Sequence, residues 1–328
     1  MDLPIVNIGA LVSGSGDRHS VAMELREACR EFGFFYIVEH GVDEALQRSL
    51  EQVSRTFFNQ PLDKKMKIGM SLGGRAWRGY FPVGGELTSG KPDLKEGIYL
   101  GSELDKDHPL VRAGTPLHGP NLFPGDIPDF RGAVLDYIAA MMRLGHALMT
   151  GISLSLGLEE SYFADAYTAD PLILFRIFNY PARSRDSSSE YMYGVGEHTD
   201  YGFLTILKQD MSGGLQVKTK SQWIDAKPIP NSFVCNIGDM LDRLTGGLYL
   251  SAPHRVQHPS EHDRLSFAFF FDPNFNAEVK PLHIGGRVRD NKAERWDHAS
   301  VHDLRGTYGD YLLSKVSRVF PELGRKVL

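Results

Sequence analysis

Cysteine is scarce in this chain: two residues, Cys29 and Cys235, among 328. They lie far apart and form no Cys-x-x-Cys pair, so they read as two buried small hydrophobes in a reducing compartment. Long apolar runs are absent too. The densest, from Leu265 to Phe271, is strand-sized and contains Ser266, far short of a membrane span. Nor is there an excess of positive charge, since 36 Lys+Arg stand against 41 Asp+Glu for a net −5. Without a Lys/Arg run the chain is poorly suited to gripping nucleic acid or an anionic membrane. The opening Met-Asp-Leu-Pro-Ile-Val lacks the basic and apolar regions of a signal peptide. Together these absences predict a soluble, cytoplasmic protein. What is present is 42% apolar residues, enough for a large core, and 12 histidines. With so little cysteine, any metal is expected to have imidazole and carboxylate ligands.

The first sixty residues read as strand, helix, strand, helix. Leu3 to Ile8 and Phe34 to Val38 are strand-like. Ser20 to Phe32 has helical spacing, and Asp43 caps a helix carrying Leu46, Leu50, Val53 and Phe57 on one face. From Gly73 to Gly125 the pattern is irregular and rich in Gly and Pro, as in lids and binding loops. A long helical stripe follows from Phe130 to about Leu156. From Leu172 to about Pro281, short apolar or alternating segments are separated by turns, which predicts an all-β sandwich or barrel. These are Ile173–Tyr180, Gly202–Leu207, Gly214–Lys218, Ser232–Ile237 and Leu265–Phe271. A final helix is expected over about Val301 to Phe320. The implied division is 1–100, an N-terminal region of the same fold; 101–171, a lid-like loop and support helix; 172–285, the β core; and 286–328, the C-terminal helix.

The strongest local signal is His198-Thr199-Asp200. On an extended segment, residues two apart project to the same side, so an imidazole and a carboxylate can face one ion. About 1.5 His-x-Asp/Glu matches are expected by chance at this composition, so the spacing alone decides little. His254, in the same β-rich region, supplies a second imidazole; His258 and His262 read more easily as parts of an exposed turn. Two histidines and one carboxylate on one face of an octahedron leave open positions, the arrangement of non-haem Fe(II) oxygenases. Further on, Arg264-Leu265-Ser266 opens an apolar strand, with a guanidinium and a hydroxyl aimed to one side. An inward arginine there needs an anion, and its planar fork suits a carboxylate.

This order of residues resembles the Fe(II)/2-oxoglutarate-dependent dioxygenases, and more closely their isopenicillin N synthase-like branch. The likeness extends to Leu3–Ile8, Phe32–Gly41, His198–Leu207, Gly213–Val217 and Asn236–Asp239. It implies a mainly β fold with α: a double-stranded β-helix (jelly roll) core flanked by N-terminal, central and C-terminal helices. It implies His198, Asp200 and His254 as the catalytic metal ligands. Arg264 and Ser266 would hold the distal carboxylate of 2-oxoglutarate, helped by Tyr180. Asn179 should face away, and Arg176, on the alternation of Tyr180, is an added candidate for a carboxylate contact. The implied cofactors are Fe(II), 2-oxoglutarate, O2 and ascorbate as reductant. The implied reaction oxidises an unactivated C–H bond by hydroxylation, demethylation, desaturation or cyclisation, with release of succinate and CO2. Rival readings are an iron oxidase of the branch that does not use 2-oxoglutarate, and a non-catalytic jelly-roll binding module. Arg78, Tyr80, Phe81, Glu86, Thr88, Tyr201, Phe271 and Asn274 are expected near the substrate. Gly85 to Asp93 resembles bacterial ethylene-forming enzymes, which implies that Glu86 accepts a cationic amine or guanidinium. A helix or turn cap is the favoured alternative for that residue.

Overall fold

The computed structural model describes residues 2–88, 90–182, 193–219, 222–257, 262–282, 284, 288, 290, 292–295, 298–321 and 324–325. At its centre Leu172–Tyr180 and Arg264–Asp272 pair antiparallel along their whole length, Arg264 opposite Tyr180 and Asp272 opposite Leu172. Because side chains alternate across a strand, each strand has one face toward a cavity and one toward a helix. Arg264, Ser266, Ala268, Phe270 and Asp272 all line the cavity, while Phe271 packs against His146 of the long helix.

These two strands belong to an eight-stranded sheet. Its order is Ile5–Asn7, Phe34–Val38, Phe233–Ile237, Leu204–Gln209, Arg264–Asp272, Leu172–Tyr180, Glu96–Gly101, Gly79–Phe81. All pairs are antiparallel except the first. A second sheet of four strands runs Trp223–Asp225, Leu215–Lys218, His254–Val256, Val195–His198. Residues of both sheets line one cavity, so the sheets face each other as the two halves of a jelly roll. The helix Phe130–Ser155 covers the outer face of the larger sheet, with Tyr137 against Phe175 at 5.2 Å between ring centres. Asp43 caps the second long helix as expected, accepting from Ala45 N, and Asp17 caps the one before it, accepting from Ser20 N. Cys29 and Cys235 are buried and unpaired. Among the described residues no helix is long and apolar enough to cross a membrane.

Three expectations change. The stretch from Gly73 to Gly125 is not irregular throughout, for it contains Gly79–Phe81, Leu87–Thr88, Lys91–Pro92 and the wholly buried strand Glu96–Gly101. That strand was hidden by its glycines, which ordinarily weaken a strand pattern. Here close packing requires them: a Cβ at Gly97 would sit 2.7 Å from a Phe178 ring carbon, and one at Gly101 2.5 Å from the Ile173 carbonyl oxygen. The strand Val195–His198 was likewise concealed by Gly196, Glu197 and His198. The expected helix from Val301 divides into a 3-10 turn, Val301–Asp303, and a helix, Tyr308–Val319. The first piece ends at Leu304, which turns extended, Gly306 at φ 93° follows, and a capping box between Thr307 and Asp310 starts the second.

The join between helix and sheet gives a paired test. A Cβ at Gly145 would lie 2.3 Å from the buried Phe271 ring, whereas at Gly132, exposed in the same helix, it meets nothing. Gly145→Ala should destabilise the protein by about 1–3 kcal/mol. Gly132→Ala should be neutral or stabilise it by up to about 1 kcal/mol. Urea unfolding midpoints of the two variants check both signs.

Candidate active site

The two histidines meet because their strands pair. His254 opens His254–Val256 and lies directly opposite His198, the last residue of Val195–His198. Asp200 stands just beyond the strand end, in a turn pinned by Asp239 N donating to Asp200 O at 2.8 Å and Met240 N to Gly202 O at 2.9 Å. Asp200 Oδ1 is 3.8 Å from His198 Nε2 and 3.7 Å from His254 Nε2. One ligand atom from each of the three residues lies within 4.8 Å of the others, so a single ion can be held by all three.

Each ligand atom is aimed by a hydrogen bond elsewhere on its side chain. His198 Nδ1 is 2.9 Å from Gly196 O, and His254 Nδ1 is 3.2 Å from Ala252 O. A carbonyl only accepts, so each Nδ1 carries the proton and each Nε2 turns a lone pair toward Asp200. Asp200 Oδ2 accepts from Thr205 Oγ1 at 2.5 Å and Asn236 Nδ2 at 2.7 Å, leaving Oδ1 to face the two Nε2 atoms. Burial pushes His254 down to about 4, and burial likewise lowers His198. Burial alone would raise Asp200, but the facing imidazoles and its two hydrogen bonds bring it below the usual carboxylate range. Neutral imidazoles beside an ionised carboxylate are the protonation state that metal binding needs.

Arg264 is fully buried. Its Nε donates to Gly213 O at 2.6 Å, and its guanidinium lies 4.7 Å from the Tyr180 ring centre. Among the described residues, Nη1 has no hydrogen-bond partner and no carboxylate stands within 4.0 Å of the group. Such a charge is costly unless an anion completes it. The cavity of about 100 Å³ that holds the metal cluster is lined by Arg264, Ser266, Tyr180 and Arg176 as well. The donor set and the unmatched arginine thus fit Fe(II) together with a carboxylate cosubstrate. Asn179 turns outward to donate to Glu96 Oε1, as its parity predicts.

Of the residues expected near the substrate, Glu86, Thr88 and Tyr201 line the cavity, whereas Arg78, Tyr80, Phe81, Phe271 and Asn274 do not. Phe271 has the wrong parity, its neighbour Phe270 facing inward instead. Arg78 lies in a separate small cavity and donates to Leu117 O, and Tyr80 donates to Glu96. Phe81 backs the wall against Tyr99 and Phe178, and Asn274 accepts from Asp170 N. Glu86 is not a cap. It is buried in the wall, accepting from Tyr99 Oη at 2.5 Å and lying 2.9 Å from Lys95 Nζ, so its charge is already matched. Arg176 sits between the Tyr99 and Phe270 rings, 4.0 Å from Glu86. His262 lines a different groove, and His258 lies outside the described residues.

Sequence reasoning missed two groups. Asn236 and Thr205, which aim Asp200, lie on strands whose nearness to it only the fold creates. The roof of the cavity was missed as well: Leu312, Val316 and Phe320 come from the C-terminal helix and the residue after it. Their spacing of four is a signal that could have marked an apolar face.

Residues 3–126 match the family described as non-haem dioxygenase in morphine synthesis N-terminal, and residues 170–273 match the 2OG-Fe(II) oxygenase superfamily. A probable iron/ascorbate oxidoreductase of Dictyostelium discoideum is 50% identical, with 99% of this chain and 97% of that protein covered. A 1-aminocyclopropane-1-carboxylate oxidase of the same organism is 40% identical, with 98% and 95% covered. Among solved structures, that of a full-length Neurospora crassa protein in complex with alpha-KG and thymine matches with a TM-score of 0.79 at 27% identity, over 96% of each chain. The chain belongs to the 2OG-Fe(II) oxygenase superfamily and is an oxidoreductase.

Asn236 offers a test that leaves all three ligand atoms in place. Loss of an outer partner of a metal ligand commonly costs 10–100-fold in affinity or activity. Asn236→Ala should therefore weaken metal affinity about tenfold or more, read by anaerobic Fe(II) titration.

Proposed function

We propose that the protein is an Fe(II)- and 2-oxoglutarate-dependent oxygenase that oxidises an unactivated C–H bond of a small molecule, and that His198, Asp200 and His254 hold the iron. Bound iron supplies the redox chemistry in which O2 and 2-oxoglutarate are consumed and succinate and CO2 released. The observation that carries the reading is the buried Arg264, without an anion among the described residues, in the same cavity as the two imidazoles and the carboxylate. Arg264 would receive the distal carboxylate on Nη1, with Ser266 and Tyr180 beside it. The Tyr180 ring fixes the guanidinium, while Val195, Leu207, Leu215 and Val256 make the adjoining walls apolar and keep water away. In such surroundings an ion pair is stronger than in water.

The prime substrate is assigned the region roofed by the C-terminal helix. There Arg176, held between Tyr99 and Phe270, presents an Nε that has no partner among the described residues. We assign it a carboxylate or carbonyl of the substrate. Glu86, already matched by Lys95, is left as a support for Arg176 and Tyr99.

A succinate-release assay with Fe(II), ascorbate and 2-oxoglutarate tests the reading. Wild-type protein should turn over slowly alone and faster with its substrate, found by screening amino acids, small phenolics, terpenoids and amines. Arg264→Met removes a charged hydrogen-bond donor, worth about 1.5–3 kcal/mol, and should raise the KM for 2-oxoglutarate accordingly. Arg176→Met should raise the KM of the prime substrate and leave substrate-free succinate release unchanged. The similarity to a 1-aminocyclopropane-1-carboxylate oxidase favours one second reading, an iron oxidase with ascorbate as reductant and no use of 2-oxoglutarate. Absence of succinate with every compound screened would favour that oxidase.

A further inference from the structure

Asp239 is fully buried and belongs to neither the metal cluster nor the cavity lining. Three side chains converge on it. Arg295 Nη1 donates to Oδ1 at 2.9 Å and Nη2 to Oδ2 at 2.7 Å. Tyr311 Oη donates to Oδ2 at 2.6 Å, and Thr199 Oγ1 lies 3.3 Å from that same oxygen. Arg295 Nη2 also donates to Thr199 Oγ1 at 2.9 Å. Thr199 is the residue between His198 and Asp200, and the Asp239 main-chain N–H holds the Asp200 carbonyl. One carboxylate therefore joins the turn that carries two proposed metal ligands to the C-terminal part of the chain.

Tyr311 belongs to Tyr308–Val319, the helix whose Leu312 and Val316 roof the cavity. Its ring also meets Tyr201, next to Asp200, edge-on at 6.3 Å. A second tie holds the same helix elsewhere: Tyr308 Oη donates to Asp272 Oδ2, at the far end of the strand from Arg264. The tie of Tyr308 ends on Asp272, which packs against Gly202 beyond Asp200, whereas that of Tyr311 ends on Asp239, next to Thr199 between the two proposed ligands.

We infer that Tyr311 and Arg295 are positioning residues that couple seating of the C-terminal helix to the geometry of the His198–Asp200 turn, through Asp239 and Thr199. Coupling between two sites is reciprocal. A seated helix favours the binding geometry, and an occupied metal site favours the seated helix. The inference rests on the metal-ligand roles proposed above.

Co(II) is the probe, and two variants separate this path from general loosening of the roof. Tyr311→Phe keeps the ring and removes only the hydroxyl bond to Asp239; Tyr308→Phe removes the other tie. Hydrogen exchange over Tyr308–Val319, with and without Co(II), supplies a readout independent of turnover. In wild type, Co(II) should slow exchange of the helix. In Tyr311→Phe that slowing should be lost and Co(II) affinity should fall about fivefold or more, the lower end of typical coupling. Tyr308→Phe should keep wild-type Co(II) affinity. Arg295→Lys, which keeps the charge but not the fork, should act in the direction of Tyr311→Phe. An unchanged affinity in Tyr311→Phe, or equal losses in both tyrosine variants, would overturn the coupling alone. Failure of the wild-type protein to bind Co(II) or Fe(II) would overturn the metal-ligand reading and the coupling with it.

Discussion

The division of labour between the two oxygens of Asp200 is the constraint on which the rest of the site depends. A buried carboxylate left free to rotate would have no preferred aim, and one left unbonded would be costly to bury. Thr205 and Asn236 settle both matters by taking Oδ2. Oδ1 then faces the imidazole nitrogens of His198 and His254, which are directed in turn by main-chain carbonyls. The three atoms proposed as ligands are thus oriented by the scaffold itself. The jelly roll supplies this scaffold at low conformational cost. Asn236 and Thr205 are cross-strand partners on the larger sheet, and His198 and His254 are cross-strand partners on the smaller one. The metal cluster is therefore a seam between two facing sheets.

The cavity also holds charge in two different ways. Lys95 stands close to both Glu86 and Asp93 and ties them into the wall, while Arg176 approaches Glu86 only at 4.0 Å and keeps an Nε with no partner among the described residues. At Arg264 no described residue supplies an anion. A self-matched cluster forms a stable wall, whereas an unmatched guanidinium invites a ligand of opposite charge. This contrast, more than the number of charged residues, separates the wall from the proposed cosubstrate end. It also argues against Glu86 as a ready acceptor for a cationic substrate, because Lys95 already fills that role.

Most of the β core was legible because its strands are long, apolar and bounded by turns. Arg264-x-Ser266 was legible because a period of two puts both side chains on one side of a strand, whereas Asp200 is brought to His198 by the turn beyond the strand end. The same rule, carried on from Arg264 and Ser266, reaches Phe270, whereas Phe271 was expected near the substrate from its place at the strand end alone. Glu96–Gly101 stayed hidden because its glycines serve contacts made by distant residues, Phe178 and Ile173, which no local pattern encodes. Asn236, Asp239 and Arg295 were beyond reach for a related reason. Their partners come from other strands and turns, so their importance exists only after folding. The 3-10 turn before Tyr308 was merged with the helix, although the Thr307-x-x-Asp310 spacing and Gly306 were present to mark the boundary.

The central claim is that the His198–Asp200–His254 cluster and Arg264 form two ends of one ligand site. A crystal structure of the protein grown without oxygen in Mn(II) and 2-oxoglutarate tests it most directly. The account predicts the metal bound by His198 Nε2, Asp200 Oδ1 and His254 Nε2, with the far carboxylate of 2-oxoglutarate on Arg264. A metal bound elsewhere, or 2-oxoglutarate placed without contact to Arg264, would contradict it.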